Sequence, residues 1–313
     1  MDLVTLTDVR AAAENVKGRV VHTPLLAAPW AGDLWLKPES LQPIGAFKLR
    51  GAYHAVAALP ADVRKNGVVA HSSGNHAQAL AYAARDFGIP CVIVMPDAAL
   101  PAKIAATRAL GAEVVLVGVV ERLTEARAIA ADRGMTLIPP FDHPDVIAGQ
   151  GTIGLEIVED LPEVASVLVP VGGGGLASGV AVAVKSLRPD VVVVGVEPEL
   201  AGDAAEGFAA GELRQWSLDL TYRTIADGLR TNLSELTFAH VRTYVDKMLT
   251  VSEKQIEDAM SRIAVGSRLV AEPSGAVSVA GYLAHRDALP PGPAVAVISG
   301  GNVDPAALAR VLG

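Results

Sequence analysis

Short runs of β-branched and other apolar residues alternate along the chain with alanine-rich stretches of helical composition. Four apolar runs are typical of buried strands and cover residues 68–70, 91–95, 114–117 and 136–138. Stretches of helical composition separate them at residues 76–87, 102–110 and 122–133. A glycine follows each stretch, where helix C-terminal caps usually fall: Gly88, Gly111 and Gly134. This alternation predicts right-handed βαβ units in a parallel sheet with helices on both faces.

A second alternating series begins near Gly149. Its predicted strands cover residues 167–171, 191–196, 245–251 and 294–298, and its predicted helices cover residues 154–159, 176–187, 253–269 and 275–285. Two strand-like pieces, residues 24–26 and 34–37, have no neighbour near residue 70 and can complete the second sheet, although periodicity alone leaves this open. We therefore predict an α/β protein of two domains with parallel-rich sheets. The large domain is discontinuous, residues 1–67 and 144–313, and the small α/β domain covers residues 68–143.

Composition narrows the class of protein. The 313 residues are 51% hydrophobic, which excludes intrinsic disorder. A net charge of −8 and an aromatic content of 4% argue against a nucleic-acid-binding surface. Cys91 is the only cysteine, so an intrachain disulfide and a cysteine-based zinc site are excluded. The sequence shows neither a signal-peptide pattern nor an apolar run long enough for a bilayer, so we expect a soluble cytoplasmic protein with no membrane partner.

Four consecutive glycines join a predicted strand to a predicted helix. They are Gly172, Gly173, Gly174 and Gly175, and Leu176 follows. Glycines permit close backbone approach, and successive N–H groups at a helix N-terminus suit a phosphate. A tight turn is the plain alternative, but it needs fewer glycines. No Lys-Ser/Thr pair follows, which excludes a nucleotide P-loop, and the missing G-x-G-x-x-G spacing disfavours a dinucleotide.

Lys48 lies among small and apolar neighbours in residues 40–52. Alone, it is typical of a solvated helix lysine. A desolvated lysine, however, has a lowered pKa and can form a Schiff base. A lysine together with a phosphate-binding turn is what pyridoxal phosphate requires, so the glycine turn changes the interpretation.

Polar residues follow the strand at residues 68–70 and precede a helix: Ser72, Ser73, Asn75 and His76. Their side chains and the helix N–H groups could hold a substrate carboxylate. A helix cap formed by Ser73 or Asn75 is an equally good interpretation of this segment alone.

Together these motifs resemble the fold-type II pyridoxal-phosphate enzymes, and most closely the serine/threonine dehydratase and serine racemase family. The resemblance runs through nearly the whole chain, at Thr23-Pro24, the Lys48 segment, residues 72–76, 148–152, 172–175 and 224–228, Glu272-Pro273 and residues 299–302. Any one of these motifs is weak, but their combination in this order is very specific. The resemblance implies the α/β architecture of the tryptophan synthase β chain, with the cofactor in a cleft between two domains.

The resemblance also implies residue roles. Lys48 holds pyridoxal 5'-phosphate as a Schiff base and removes the Cα proton, and Ser73 lies on the opposite face. Asn75 contacts the ring oxygen and Ser299 the pyridine nitrogen. The phosphate is lined by Gly172, Gly173, Gly174, Gly175 and Leu176, and the substrate is held by Ser72, Ser73, Asn75 and His76. A serine cannot supply the negative charge that keeps the nitrogen protonated, so the ring is a weaker electron sink and prompt elimination is favoured.

An acidic segment follows the strand at residues 191–196. In isolation it is typical of a solvated loop. In the racemase branch of the family, however, the same spacing presents Glu197, Asp203 and the carbonyl of Ala201 to a divalent cation. We therefore expect a site for Mg²⁺ or Ca²⁺, since oxygen-only ligation suits these ions.

The leading functional hypothesis is a pyridoxal-phosphate-dependent ammonia-lyase that converts L-serine or L-threonine to a 2-oxo acid and ammonia. The alternatives are a serine racemase and a 3-hydroxyaspartate dehydratase, for which Arg122 is a candidate partner of the second carboxylate. A non-catalytic α/β module that binds a small molecule is the alternative from another class, but such a module has no need of Lys48. We also expect a homodimer. Ala27-Ala28-Pro29 replaces the serine stretch that helps bind ATP in animal racemases, which puts nucleotide activation in doubt.

Overall fold

The computed structural model describes residues 2–313 and contains two β-sheets with helices packed against them. The strands are β1 (Leu26–Ala27), β2 (Leu34–Pro38), β3 (Val68–His71), β4 (Cys91–Pro96), β5 (Glu113–Val117), β6 (Thr136–Leu137), β7 (Ser166–Pro170), β8 (Val192–Pro198), β9 (Lys247–Val251) and β10 (Ala294–Ile298). The first seven helices are α1 (Leu6–Val16), α2 (Lys48–Ala58), α3 (Ala61–Arg64), α4 (Asn75–Phe87), α5 (Pro101–Ala109), α6 (Arg122–Arg133) and α7 (Pro144–Asp160). The others are α8 (Gly175–Leu187), α9 (Asp203–Ala210), α10 (Leu218–Thr221), α11 (Glu235–Tyr244), α12 (Glu253–Arg262), α13 (Pro273–Ala284) and α14 (Pro305–Leu312).

The larger sheet has six strands in the order β1-β2-β10-β7-β8-β9. All its neighbours are parallel except β1 and β2, which are antiparallel. The early strand-like pieces do join the second sheet, since β2 pairs with β10. Strands β7, β8 and β10 are almost entirely buried, as expected for parallel strands covered on both faces. The predicted α/β class with parallel-rich sheets is confirmed.

The smaller sheet has four parallel strands in the order β5-β4-β3-β6. All four come from residues 68–137, and α4 and α6 pack against them. The strands of the two sheets thus separate along the chain as the sequence predicts. The domain boundaries at residues 68 and 143 stay a prediction.

The predicted helix at residues 154–159 is wrong about its start, because α7 begins ten residues earlier, at Pro144. Glycines inside a helix cost about 1 kcal/mol each, which disfavours a helix through Gly149 and Gly151. Close packing overrides this propensity. A Cβ atom at Gly149 would lie 2.6 Å from the Cα of Gly51 in α2, and one at Gly151 would lie 2.9 Å from the carbonyl oxygen of Gly179 in α8.

The predicted helix at residues 253–269 starts at Glu253 as expected, but it is wrong about its end, because α12 stops at Arg262 and a π-helical turn covers Ile263–Ser267. Gly266 packs against the ring of Trp30, whose Nε1 donates to the Ser267 hydroxyl at 2.9 Å. This contact joins residues far apart in the sequence, so no local pattern predicts the π-helical turn where it lies.

Three loops carry the candidate chemistry, and each follows the carboxyl end of a parallel strand. Ser72 follows β3, the glycine turn follows β7, and Ser299 follows β10. Open parallel sheets bind ligands at this edge. Within residues 2–313, no helix is both long and apolar enough to cross a membrane.

Candidate active site

Lys48 is the first residue of α2 and lies beside the end of β10. The N–H of Phe47 donates to the Ser299 carbonyl at 3.0 Å, and Ala46 forms an isolated antiparallel bridge with Gly300. The lysine Nζ donates to the carbonyl oxygen of Pro140 at 2.6 Å. Desolvation by burial lowers the pKa of Lys48 from 10.5 to about 8. Lys48 is therefore not the solvated lysine of the plain interpretation, and a much larger fraction of its amine is neutral near pH 7.

The glycine turn packs closely against neighbouring segments. A Cβ atom at Gly172 would lie 2.8 Å from the Cα of Leu229, and one at Gly173 would lie 2.5 Å from Cγ of the Phe141 ring. Gly174 has φ +83°, a conformation that other residues adopt only with strain. The packing therefore requires glycine at these positions.

The turn also presents unpaired hydrogen-bond donors at the start of α8. Within residues 2–313, the N–H groups of residues 172–176 donate no hydrogen bond to another residue. Unpaired N–H groups at the positive end of a helix are the donor set that a phosphate requires, so this turn fits the phosphate of the cofactor.

Residues 72–74 form the loop between β3 and α4, and residues 75 and 76 are the first two residues of α4. The predicted capping role of Ser73 or Asn75 is wrong. Gly74 is the N-cap of α4, and no side chain makes a capping hydrogen bond to the first turn. Asn75 instead donates through Nδ2 to Oε1 of Glu272 at 2.7 Å, and its Oδ1 accepts from Nδ2 of Asn302 at 2.8 Å. The amide of Asn75 is thus held in a fixed orientation at the cleft.

His76 is buried below this loop. Its Nε2 lies 2.9 Å from the carbonyl oxygen of Ile138 and donates to it, so Nδ1 is the free acceptor of the neutral ring. Within residues 2–313, Nδ1 has no hydrogen-bond partner. Burial and the nearby Lys48 lower the pKa of His76 to about 3, so the imidazole stays neutral. Its Nδ1 can accept a hydrogen bond from a substrate, but the neutral ring cannot supply a positive charge to a carboxylate.

Ser299 follows β10, with 3% of its surface exposed. Its hydroxyl lies 3.4 Å from the carbonyl oxygen of Ser274. A hydroxyl can donate or accept, so it suits an unprotonated ring nitrogen, and it adds no negative charge to the site.

Glu272 is a residue of the site to which the sequence assigned no role. It is the N-cap of α13, and its carboxylate lies close to Gly300 and Asn75. Burial, followed by the charge of Asp227, raises its pKa to about 7. The only sequence signal was the Glu272-Pro273 pair, because proline is common in the first turn of a helix.

The predicted metal ligands lie at and just after the end of β8, and all of them are buried. Glu197, Ala201 and Asp203 each expose 1% or less of their surface. The Glu197 carboxylate accepts from the N–H of Ala205 at 2.7 Å, whereas Oδ2 of Asp203 has no partner within residues 2–313. The solvated-loop interpretation is therefore wrong.

The electrostatics of this acidic pair are unfavourable without a cation. Burial and the charge of Asp203 raise the pKa of Glu197 well above its usual value, and burial raises that of Asp203 to about 6. Among the described residues, no cluster of three or more His, Cys, Asp and Glu side chains could hold a metal. A cation here would therefore need the Ala201 carbonyl as well as the two carboxylates.

The structure thus brings the predicted cofactor and substrate residues to one cleft between the two sheets. Phe47 connects Lys48 with Ser299, and Asn302 connects the end of β10 with Asn75. Pro140 and Phe141 connect the Lys48 amine with the glycine turn. A buried amine, a glycine turn with unpaired N–H groups and a polar loop at one place are what a pyridoxal-phosphate enzyme requires.

Comparisons with known proteins agree with this class. The chain matches the family model described as pyridoxal-phosphate dependent enzyme over residues 16–300, and it belongs to that family. It is 44% identical to an L-threonine ammonia-lyase of Thermotoga maritima, over 99% of this chain and 78% of that protein. It is 41% identical to an L-threo-3-hydroxyaspartate ammonia-lyase of Saccharomyces cerevisiae, over 97% of this chain and 95% of that protein. Among solved structures, maize serine racemase superposes with a TM-score of 0.92 at 34% identity, over 99% of this chain and 97% of that one. The fold-type II resemblance is confirmed, and the chain is a pyridoxal-phosphate-dependent enzyme rather than a non-catalytic binding module.

Proposed function

We propose that the protein is an ammonia-lyase that converts L-threonine or L-serine to a 2-oxo acid and ammonia. The observation that carries the proposal is the Lys48 amine, which has a pKa near 8 and lies in one cleft with the glycine turn and Ser299. Bound pyridoxal phosphate supplies an electron-accepting ring that stabilises negative charge at Cα.

The residues of the chain position the reactants and move the proton. The N–H groups of the glycine turn would hold the phosphate of the cofactor, Asn75 would hold its ring oxygen, and Ser299 would hold its ring nitrogen. The Ser72–Ser73 hydroxyls and the N–H groups at the start of α4 bind the substrate carboxylate, with neutral His76 next to them. The Lys48 amine removes the Cα proton, and the ammonium so formed can return this proton to the β-hydroxyl, which leaves as water. Hydrolysis of the resulting enamine gives the 2-oxo acid and ammonia.

A racemase activity is the second candidate. It needs a proton donor on the face of Cα opposite Lys48, and Ser73 is the residue proposed for it. The Ser73 hydroxyl makes no hydrogen bond to another residue within residues 2–313, so it is available to a substrate.

Two arginines near the carboxylate-binding loop favour a third candidate, a 3-hydroxyaspartate ammonia-lyase. Burial, followed by the charges of Arg122 and Arg127, lowers the pKa of His71, which ends β3 next to Ser72. Two guanidinium groups at the edge of the small sheet could pair with a second substrate carboxylate.

One panel of substrates separates these activities. The holoenzyme is given L-serine, D-serine, L-threonine and both 3-hydroxyaspartate diastereomers, and 2-oxo acid and inverted amino acid are measured, with Lys48→Ala as the control. Rapid 2-oxo acid formation from L-threonine or L-serine supports the proposal. Preference for a hydroxyaspartate supports the role of Arg122, and inversion without elimination contradicts the lyase assignment.

We also propose that Glu197, Asp203 and the Ala201 carbonyl bind Mg²⁺ or Ca²⁺. The support is the buried, partnerless oxygen of Asp203 beside a second carboxylate. The donors are all oxygen, which suits these hard cations. The expected homodimer and cytoplasmic location stay predictions, and the former is tested by light scattering.

A further inference from the structure

Four charged side chains form a buried cluster at the start of α2 that the proposed reaction does not use. Lys37 lies in β2, Glu39 begins the 3₁₀ turn that follows it, Arg50 lies in α2, and Glu156 lies in α7. The first three side chains are fully buried, and that of Glu156 is 13% exposed. Nζ of Lys37 lies 2.7 Å from Oε2 of Glu156. The formal charges of the four side chains cancel.

The Arg50 guanidinium joins the two carboxylates of this cluster. Its Nε and Nη2 donate to Oε2 and Oε1 of Glu39, both at 2.8 Å. Its Nη1 and Nη2 donate to Oε1 and Oε2 of Glu156 at 2.6 and 2.9 Å, and Nη1 also donates to the Thr152 hydroxyl at 3.1 Å. Burial alone would raise the pKa of Glu39, but the charge and the hydrogen bonds of Arg50 outweigh burial and lower it. A planar fork bound on two sides has one fixed orientation.

Arg50 lies in the first turn of α2, two residues after Lys48. Its own N–H donates to the Phe47 carbonyl at 3.0 Å, which closes the turn that contains Lys48. Successive residues of an α-helix are about 100° apart, so the two side chains leave the helix on nearly opposite sides. No side chain caps this end of α2, and a positive charge is unfavourable at a helix N-terminus. The benefit of Arg50 at this position therefore comes from its link to Glu39 and Glu156.

The contact between the backbones of α2 and α7 does not by itself fix this turn along the helix axis. The two backbones meet at Gly51 and Gly149, which carry no side chains that interlock. The amide of Gln150 lies over Gly51 but has no hydrogen-bond partner within residues 2–313. The pair of Arg50 and Glu156, 106 positions apart in the chain, supplies the directional contact that the glycines lack.

We propose that Arg50 is a positioning residue: bound between Glu39 and Glu156, it fixes the first turn of α2 so that the Lys48 amine meets the aldehyde of pyridoxal phosphate in reactive geometry. The proposal rests on the proposed role of Lys48 and is independent of which hydroxy amino acid is the substrate. A displacement of about 1 Å can slow such a step by about 10²-fold. Arg50→Lys keeps the charge, but an ammonium cannot form the two forked contacts, so it should not replace the guanidinium.

The test measures two events at the cofactor site of the apoprotein. One is the rate at which pyridoxal phosphate forms its Schiff base with Lys48, a step in which the amine displaces the aldehyde oxygen as water; visible absorbance follows it. The other is the dissociation constant of pyridoxamine phosphate, which offers the same phosphate but has no aldehyde. Arg50→Lys should lower the rate by about 10 to 10²-fold and leave the dissociation constant nearly unchanged. The matched control, Arg133→Lys at the exposed Arg133–Glu113 pair, should alter neither.

A charge-balanced double variant separates position from stability, and it also serves if Arg50→Lys does not fold. Arg50→Met leaves a buried carboxylate without its partner, so it should lower the melting temperature by at least about 5 °C. Arg50→Met/Glu39→Gln removes one charge of each sign and leaves the Lys37–Glu156 pair, so it should recover most of the melting temperature but keep the slow rate.

Three results would overturn the proposal: a rate that recovers together with stability, an equal loss of rate and of pyridoxamine phosphate affinity, or a wild-type rate in Arg50→Lys. A wild-type protein that forms no Schiff base at Lys48 would contradict the proposed function and, with it, this role of Arg50.

Discussion

At the scale of single residues, the chemistry depends on the burial of the Lys48 amine. Reduction of the holoenzyme with borohydride, followed by peptide mapping, should place a pyridoxyl group on Lys48. Lys48→Ala should abolish turnover, because it removes both the attachment point and the base. A label on another lysine, or none on folded protein, would contradict the assignment.

The same burial predicts a pH-dependent stability of the apoprotein. The pKa of Lys48 is lowered from 10.5 to about 8 by desolvation. The unfolded chain therefore binds more protons between pH 8 and 10.5, and stability should rise with pH through this window. Below pH 8, Lys48→Met should raise the free energy of unfolding by on the order of 1–3 kcal/mol, after allowance for solvent screening.

Urea unfolding at pH 7, 9 and 10.5 measures this effect, with Lys65→Met as the control, since Lys65 is exposed at the surface. The difference between the two variants should be largest at pH 7 and shrink as the pH rises. A constant difference at all three pH values would show that the gain comes from apolar packing and not from the buried charge.

Ser73 distinguishes the lyase from the racemase hypothesis. If its hydroxyl protonates the second face of Cα, Ser73→Ala should lower racemisation of L-serine by about 10² to 10⁴-fold, the usual range for a general acid. Racemisation is measured with a chiral assay of the residual serine. Undiminished racemisation in Ser73→Ala would remove Ser73 from this role.

At the scale of elements, the glycine turn between β7 and α8 can be tested by adding one methyl group. Gly173→Ala should lower affinity for pyridoxal phosphate by at least about tenfold, because the new Cβ atom collides with the Phe141 ring and a shift of the turn misplaces its N–H groups. Fluorescence titration of the apoprotein with cofactor measures the change.

Two further variants identify the cause. Gly118→Ala adds the same methyl group where only the flexible Glu121 side chain lies near, so it should bind cofactor as the wild type does. Gly173→Ala/Phe141→Ala removes the colliding ring and should recover part of the affinity. No recovery would place the effect in the turn's backbone conformation and not in the Phe141 contact.

Elements with a strong local pattern were predictable from the sequence, and those decided by packing were not. Uniform apolar runs predicted the parallel strands. Gly88 and Gly134 predicted the ends of α4 and α6, and both adopt the left-handed conformation there. The early part of α7 was missed because local propensity disfavours its glycines, whereas close contact with α2 and α8 requires them. Helix α1 was also missed, although Thr5 and Asp8 form a capping box that could have announced it.

The site was predictable where a motif defines its chemistry. The lysine, the glycine turn and the polar loop meet in one cleft because each follows or faces the carboxyl end of a strand. The role of Glu272 was not predictable, since its raised pKa comes from burial and the charge of Asp227, and its hydrogen bond to Asn75 joins residues about 200 positions apart in the chain. The Arg50–Glu156 pair is of the same kind, with 106 positions between its members.

At the scale of the whole molecule, metal binding should connect the acidic pair to global stability. A cation that binds only the folded state stabilises it by mass action, by about 2.7 kcal/mol at a free concentration of one hundred times Kd. Here the gain also offsets the repulsion between Glu197 and Asp203, which are buried side by side. We therefore expect Mg²⁺ or Ca²⁺ to raise the melting temperature and EDTA to lower it.

Asp203→Ala is the decisive variant for this expectation. It removes the partnerless oxygen and one of the two charges, so its melting temperature should not respond to EDTA or to added cation. Because removal of one charge also relieves the repulsion, metal-free Asp203→Ala should melt at or above the temperature of metal-free wild type. Differential scanning calorimetry of both proteins, stripped and reloaded, measures the four temperatures. A wild-type enzyme that melts at the same temperature with and without cation would show that protonation of Glu197 relieves the repulsion instead, as its strongly raised pKa in the metal-free pair permits.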